Sequence, residues 1–212
     1  MEVKCIIFDC DGVLVDTEKI GNGIMLEMAA EYGFKMKLEE AYRDFNGRKL
    51  KECFLYIENA IGKKLPDTFE ADYRQKSFEA FKTQVKSMEG VLAFIESLKI
   101  PYCVASSGPV DKIRLNLEVA GLLDKFENKI FSSYQINSWK PDPEIFLHAA
   151  KEMGFEVKDC IVIEDSKAGV ISGIKGGFKV YGFANGYNNE DLEKEGAELF
   201  YSYEELSKKL HL

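Results

Sequence analysis

The sequence predicts an α/β protein, with a doubly wound, Rossmann-like parallel sheet and an α-helical cap inserted after the first strand. Short apolar, β-branched runs alternate with helical segments along most of the chain, which favours parallel strands joined by helices on both faces. Between about residues 17 and 86 the apolar residues instead follow helical spacing. We therefore expect a core domain from residues 1–15 and 87–212, and a helical cap from residues 16–86.

The elements follow in chain order from these patterns. Strands are predicted at residues 3–8, 102–105, 129–132, 160–163 and 179–183. The cap is predicted from three stripes that share helical spacing: Met25, Leu26, Met28, Ala29 and Tyr32; Leu50, Phe54, Ile57 and Ile61; Phe69, Tyr73, Phe78, Phe81 and Val85. The core helices are predicted at residues 90–98 and 144–153, before Gly121 and after Ser166, and residues 199–210 complete the domain.

Composition limits the classes of partner. The 212 residues are 46% apolar and 30% charged, with a formal net charge of −8. This charge argues against general affinity for nucleic acid or an anionic membrane, and no signal peptide or membrane span is predicted. The five cysteines are scattered without a C-x-x-C pair, which favours a reducing cytoplasm over a disulfide framework. We expect a cytoplasmic protein and, because no segment indicates an obligate interface, a monomer.

The first strand ends in two acidic residues, Asp9 and Asp11, with Gly12 after them. In an extended backbone, residues two apart point the same way, so the strand delivers both carboxylates to one edge of the sheet. Two such charges repel unless a cation joins them or one takes up a proton. The pattern fits an oxygen-liking metal ion and an acid, although Asp-x-Asp-Gly taken alone is also an ordinary turn.

Other polar residues follow the later strands. Ser106 and Ser107 open a helix, where free N–H groups and hydroxyls bind phosphate or simply cap the helix. Glu164 and Asp165 follow a fully apolar strand, and they either add carboxylates to a metal site or begin the next helix. Lys140 lies on a loop between Trp139 and Pro141. Ligands of such sheets bind at the carboxyl ends of the strands, where we expect these residues to meet.

Four stretches together resemble the motifs of the haloacid dehalogenase-like superfamily: VKCIIFDCDGVLVDTE, VASSG, WKPDP and IVIEDSKAG. Their order and spacing fit over nearly the whole chain. Within that superfamily, the chain resembles the branch that holds β-phosphoglucomutases and sugar-phosphate phosphatases, especially 6-phosphogluconate phosphatases between residues 106 and 182. The resemblance implies a Mg²⁺-dependent phosphatase for a small phosphorylated sugar or sugar acid.

The resemblance also implies roles for the acidic residues. Asp9 is the expected nucleophile, which becomes an aspartyl phosphate that water then hydrolyses. Asp11 is the expected general acid and base, and a pKa raised by its charged neighbour would suit that role. Asp9, Asp165 and the backbone carbonyl of Asp11 are expected to hold the Mg²⁺, with Glu164 bound directly or through water.

The remaining roles concern the phosphate and the rest of the substrate. Ser106, Ser107 and Lys140 are expected to bind the phosphate and balance its charge. In the cap, Arg48 or Lys49 could bind a carboxylate or second anionic group of the substrate, although the segment is equally well explained as a solvated turn.

Two other functions remain open from the sequence. A β-phosphoglucomutase is disfavoured because such mutases carry a His in the first cap helix, and the corresponding residues here are Lys19, Ile20, Gly21 and Asn22. A non-catalytic phosphosugar-binding module is disfavoured because all the expected catalytic positions are filled.

Overall fold

The computed structural model describes residues 3–45, 48 and 50–211. Six strands and twelve α-helices occur in these ranges, with one short 3₁₀ turn at Val157–Asp159. In chain order they are β1 Cys5–Phe8, α1 Glu18–Ala30, α2 Leu38–Phe45, α3 Leu50–Ile61, α4 Phe69–Gln84, α5 Val91–Ser97, β2 Tyr102–Ser106, α6 Val110–Val119, α7 Leu123–Phe126, β3 Ile130–Ser132, α8 Ser133–Ile136, α9 Glu144–Glu152, β4 Cys160–Glu164, α10 Lys167–Lys175, β5 Lys179–Phe183, α11 Asn189–Lys194, β6 Glu198–Phe200 and α12 Tyr203–Leu210.

All six strands are parallel and form one sheet in the order β3-β2-β1-β4-β5-β6. The first strand lies in the middle, with Phe8 opposite Val104 of β2 on one side and Ile163 of β4 on the other. The chain therefore leaves β1 and β4 in opposite directions across the sheet, and this reversal opens a crevice at their carboxyl ends. The predicted α/β class with a Rossmann-like parallel sheet is confirmed.

Helices cover both faces of the sheet because its strands are apolar on both sides. Alternate residues of β1 point to opposite faces: Ile6 and Phe8 join a core with α5, α6 and α12. Cys5 and Ile7 join a second core with α9, α10 and α11. A strand buried on both faces is a near-continuous apolar run, which is how β1 and β4 appear in the sequence.

Helices α1–α4, called the cap below, enclose a third hydrophobic core that includes Met25, Phe45 and Ile57. Two adjacent connections join the cap to the sheet: the Asp16 backbone N–H donates to the Lys86 carbonyl at 2.9 Å, and Val15 forms a β-bridge with Ser87. This arrangement is compatible with the expected boundaries at residues 15/16 and 86/87, which stay a prediction.

Several short elements were not predicted from the sequence: helices α2, α7, α8 and α11, and the edge strand β6. Helix α2 has a narrow apolar face, with only Ala41 and Phe45 buried, and the edge strand β6 is three residues long. Patterns of two or three apolar residues are too short to distinguish a helix or strand from a loop.

The five cysteines are all unpaired and buried: Cys5, Cys10, Cys53, Cys103 and Cys160. Cys5, Cys103 and Cys160 lie in strands, as predicted. Within the ranges that the structure describes, no helix is both long enough and apolar enough to cross a bilayer.

Candidate active site

The candidate site lies where β1, β2 and β4 end. Asp9 follows β1 directly, Ser106 is the last residue of β2, and Glu164 is the last residue of β4. All three side chains are buried. Since neighbouring parallel strands end at the same edge of the sheet, three distant parts of the sequence converge there, as the motif spacing predicted.

Lys140 connects two of these carboxylates. Its Nζ donates to Asp9 Oδ1 at 2.5 Å and to Glu164 Oε1 at 2.6 Å, with 7% of the side chain exposed. Burial alone would lower the pKa of Lys140, but the two carboxylates raise it above its ordinary value. Lys140 therefore places a positive charge beside Asp9 and Glu164.

Glu164 is held on both of its oxygens. Besides the bond from Lys140, its Oε2 accepts hydrogen bonds from the backbone N–H groups of Asp165 and Ser166 at 2.8 and 2.7 Å. The Ser166 hydroxyl donates to the same oxygen at 2.9 Å. Gly169 leaves the space that this carboxylate occupies, because a Cβ atom there would overlap it. Glu164 thus fixes Lys140 and the two residues that follow β4, just before α10.

Asp9, Glu164 and Asp165 form a buried carboxylate cluster. One oxygen from each lies within 4.8 Å of the others. Burial, together with repulsion from neighbouring carboxylates, raises the pKa of both Asp9 and Asp165, while Lys140 acts in the opposite direction. Gly12, with a φ of +78°, leaves room for the Asp165 side chain, which a Cβ atom would overlap. Three crowded oxygen donors with excess negative charge fit a hard divalent cation such as Mg²⁺.

Three side chains outside the carboxylate cluster bind the Asp11 carboxylate. Its Oδ1 accepts hydrogen bonds from Thr17 Oγ1 at 2.5 Å and Asn116 Nδ2 at 3.3 Å, and its Oδ2 accepts one from Lys112 Nζ at 3.0 Å. Burial acts to raise the pKa of Asp11, but Lys112 and the Thr17 hydrogen bond outweigh it and lower the pKa. The expectation of a raised pKa is wrong for the protein without metal or substrate, because it omitted Lys112.

The loop after β2 carries the predicted phosphate-binding serines. The Ser106 Oγ accepts a hydrogen bond from the Gly108 N–H at 3.1 Å, which shapes the turn into α6. The Ser132 hydroxyl donates to the Gly108 carbonyl at 2.6 Å and ties this loop to β3. Ser106, Ser107 and Gly108 all line the candidate site next to Asp9 and Lys140.

A cavity of about 780 Å³ lies above these residues, between the sheet and the cap. The cap contributes Arg48, Lys51, Tyr73 and Arg74 to its wall. Arg48 is exposed and lines the cavity, as its proposed contact with substrate requires. Lys49, the other cap residue singled out from the sequence, lies outside the described residues.

Sequence reasoning missed several polar residues of this site. Lys112, Asn116 and Thr17 reach Asp11, and Glu18 in the first turn of α1 lines the cavity, where burial raises its pKa to about 7. For Lys112 and Asn116 the sequence signal is their spacing, since residues four apart lie on the same face of a helix. Which way that face points depends on how α6 packs, and the sequence pattern does not contain this information.

Comparison with known proteins agrees with this arrangement. The profile of the haloacid dehalogenase-like hydrolases matches residues 6–183. The 6-phosphogluconate phosphatase of Escherichia coli is 36% identical over 192 residues, covering 90% of this chain and 86% of that protein.

Two solved structures are also similar. A haloacid dehalogenase-like protein of unknown function from Agrobacterium tumefaciens superposes with a TM-score of 0.93 at 28% identity, covering 99% of this chain and 98% of its own. A hydrolase of the same superfamily from Deinococcus radiodurans, with bound phosphate and sodium, gives 0.87 at 26% identity, with 99% and 95% covered. The extent of these matches, together with the acidic site at the strand ends, shows that the chain belongs to the haloacid dehalogenase-like hydrolases.

Proposed function

We propose that this enzyme is a Mg²⁺-dependent phosphatase that hydrolyses small phosphorylated sugars or sugar acids through an aspartyl-phosphate intermediate on Asp9. The coarser class is a phosphoric monoester hydrolase, as in its phosphatase relatives. One observation carries the finer proposal: the buried Asp9 carboxylate lines a large cavity and lies beside a fixed ammonium group and two further carboxylates. Such a site can supply a nucleophile and balance the charge of a phosphate group.

In the proposed reaction, one Asp9 oxygen attacks phosphorus while the bond from phosphorus to the leaving oxygen breaks. Asp11, whose pKa is lowered by Lys112 and Thr17 in the free protein, must first take up a proton. It then gives that proton to the leaving oxygen, and the sugar leaves as an alcohol. Asp11 then accepts a proton from the water that attacks the aspartyl phosphate, which releases inorganic phosphate and restores Asp9. Covalent catalysis of this kind replaces one difficult step by two easier ones.

Lys140 and the β2 loop would hold the phosphate during both steps. The Lys140 ammonium lies beside Asp9, where it can offset charge on the phosphoryl oxygens. Ser106, Ser107 and the backbone before α6 supply hydroxyl and N–H donors.

The carboxylate cluster fits Mg²⁺ by its donor chemistry. Asp9, Asp165 and the backbone carbonyl of Asp11 would hold the ion, with Glu164 beside them already accepting four hydrogen bonds. The Asp11 carboxylate binds Thr17 and Lys112 instead of joining this cluster, and we assign proton transfer to it. A bound Mg²⁺ supplies positive charge that the transferring phosphoryl group needs.

Substrate choice is assigned to the cap. Arg48 lines the same cavity as Asp9 and Asp11, and a guanidinium group can bind a carboxylate through two hydrogen bonds. This placement and the similarity to a 6-phosphogluconate phosphatase make a phosphorylated sugar acid the first candidate substrate. Lys49 stays a second candidate for the same contact. We also propose that residues 16–86 form a separate cap domain over a core of residues 1–15 and 87–212.

The mutase alternative is not favoured by the first cap helix. Histidine is absent from its start, and a Cβ atom at Gly21 would lie only 3.1 Å from the Tyr73 hydroxyl. A larger side chain there would have to displace Tyr73. The binding-module alternative is disfavoured by the relatives of the chain, several of which are named as phosphatases.

The test is phosphate release with Mg²⁺ across sugar phosphates and sugar-acid phosphates, including 6-phosphogluconate and glucose 1-phosphate. The unmodified protein should release phosphate and prefer the acids, and Asp9→Asn should lower kcat by at least about a thousandfold, because it removes the nucleophile. Asp124→Asn, a change of the same kind at an exposed position, should leave kcat unchanged. Isomerisation of glucose 1-phosphate without phosphate release would contradict the proposal and favour a mutase.

A further inference from the structure

Two residues of α6 contact Asp11 from the same side. Lys112 and Asn116 lie one helical turn apart, so their side chains share a face of the helix. The Lys112 ammonium donates to Asp11 Oδ2 at 3.0 Å, and the Asn116 amide donates to Asp11 Oδ1 at 3.3 Å. Each oxygen of the Asp11 carboxylate thus has its own donor from one rigid helix.

The donors from α6 are themselves held in place. Asn116 is fully buried, and its Oδ1 has no partner among the described residues, so the amide is oriented by its contact with Asp11. The Lys112 ammonium lies 5.4 Å from the centre of the Phe81 ring in α4, close enough for a cation–π contact. Lys112 also lines the cavity. Its charge is thereby fixed between the cap and Asp11.

A carboxylate that transfers protons must point at the reacting oxygen. Thr17 donates to only one of the Asp11 oxygens, and a single hydrogen bond leaves a carboxyl group free to rotate. Bonds to both oxygens define the plane of the group. Lys112 and Asn116 bind both oxygens and so fix the plane of the Asp11 carboxyl group. Neither Thr17 nor the carboxylate cluster does this.

We propose that Lys112, supported by Asn116, is a positioning residue that orients the Asp11 carboxyl toward the leaving-group oxygen. The inference rests on the proposed phosphatase function. In the step concerned, the bond from phosphorus to the sugar oxygen breaks, the bond from phosphorus to Asp9 forms, and the proton moves from Asp11 to the departing oxygen. Lys112 gains and loses no proton in this step.

The leaving group provides a readout that a structural role would not move. A sugar alkoxide is a poor leaving group and needs the proton, whereas p-nitrophenolate leaves without one. Because kcat/KM covers only the steps up to the first bond cleavage, it isolates the step that uses Asp11 as an acid. A change that misplaces Asp11 should therefore lower kcat/KM for a sugar phosphate and spare p-nitrophenyl phosphate.

The experiment measures kcat/KM of the full-length protein with Mg²⁺ for 6-phosphogluconate and p-nitrophenyl phosphate. Lys112→Met should lower the value for 6-phosphogluconate by about tenfold or more and change that for p-nitrophenyl phosphate by less than about threefold. Lys112→Arg should recover part of the loss, since it keeps a donor and the charge. Lys208→Met, at an exposed position on α12, is the matched control and should change neither value.

A second comparison uses Asp11 itself. Asp11→Asn should show the same selective loss, and adding Lys112→Met to it should cause little further loss, because both changes act on one group. Equal losses for the two esters in Lys112→Met would overturn the inference and indicate that Lys112 binds substrate or supports the fold. So would an unchanged kcat/KM for 6-phosphogluconate. If the unmodified protein cleaves neither ester, the proposed function fails as well.

Discussion

Lys140 is the residue on which most of the site's electrostatics depends. It is almost fully buried and lies between Asp9 and Glu164, whose side chains are also nearly inaccessible. Removing one partner of a buried ion pair is costly because the remaining charges lose their compensation. Here one cation faces two carboxylates, and its removal leaves both of them buried and close together.

The expected result for Lys140→Met without Mg²⁺ is a free energy of unfolding lower by about 3 kcal/mol or more. Phosphate release should also fall, since the variant loses the charge beside Asp9. Urea unfolding in the presence of a chelator measures the first effect. Lys158→Met removes an exposed ion pair with Glu156 and should have no measurable effect on unfolding. Equal stability of the two variants would contradict the electrostatic role assigned to Lys140.

Sequence reasoning identified residues of this site unequally. Asp9 and Asp11 were singled out as two carboxylates just after a buried strand, and their expected roles came from the resemblance. Lys140 was singled out by its setting between Trp139 and two prolines together with the resemblance, since one Lys on a loop carries no periodic signal. Lys112 was missed because its contact with Asp11, 101 residues away, depends on how α6 packs against the end of β1.

At the scale of the element, the first turn of helix α10 packs against the buried Glu164 carboxylate. Ser166 is the N-cap of helix α10, and its hydroxyl accepts a hydrogen bond from the Gly169 N–H at 3.1 Å. Gly169 is a weak helix former in the first turn, where Ala would ordinarily be preferred. The Glu164 carboxylate occupies the space that an Ala side chain would need. Gly169 therefore lowers the stability of the helix but leaves room for the Glu164 carboxylate.

Replacing glycine by alanine should therefore have opposite effects in two helices. Gly169→Ala should lower the free energy of unfolding and phosphate release together, because the methyl group displaces Glu164 and through it Lys140. Gly23→Ala in α1 meets no atom within 4 Å and should raise the free energy of unfolding by up to about 1 kcal/mol. Thermal unfolding and kcat for the two variants provide the check. A stabilised and active Gly169→Ala would show that Glu164 can move freely.

The elements themselves were predictable in proportion to their length and burial. The strands β1 and β4 are buried at every position, so their apolar runs are unambiguous. The edge strand β6 has only Phe200 fully buried and the pattern of a loop. Helix α2 is mostly charged on its surface, and the sequence offered little to separate it from a connection between α1 and α3.

At the scale of the whole molecule, the carboxylate cluster couples folding to metal binding and pH. Folding buries Asp9 and Asp165 and raises the pKa of each. Between the ordinary carboxyl pKa and these raised values, the folded protein binds more protons than the unfolded chain. The stability of the metal-free protein therefore falls as the pH rises through this range.

Mg²⁺ should reverse this loss, because metal ligands bind in their ionised form and the folded protein alone presents the cluster. We expect the increase in Tm on adding Mg²⁺ to be larger at about pH 7.5 than at about pH 5.5. Thermal unfolding with excess Mg²⁺ or with a chelator at both pH values provides the measurement. Asp165→Asn should be more stable than the unmodified protein under the chelator and should respond weakly to Mg²⁺. A Mg²⁺ effect that shrinks with rising pH would refute this linkage.

The five buried thiols can also be used to detect local opening in the cap and in the cores beside the sheet. Cys53 belongs to the core of the cap, whereas Cys5, Cys10, Cys103 and Cys160 lie in the two cores that flank the sheet. Since a buried thiol reacts with an alkylating reagent only after its surroundings open, every alkyl group added to the native protein marks an opening event. Mass spectrometry of the labelled peptides would then time the opening of the cap separately from that of the sheet, without any engineered probe.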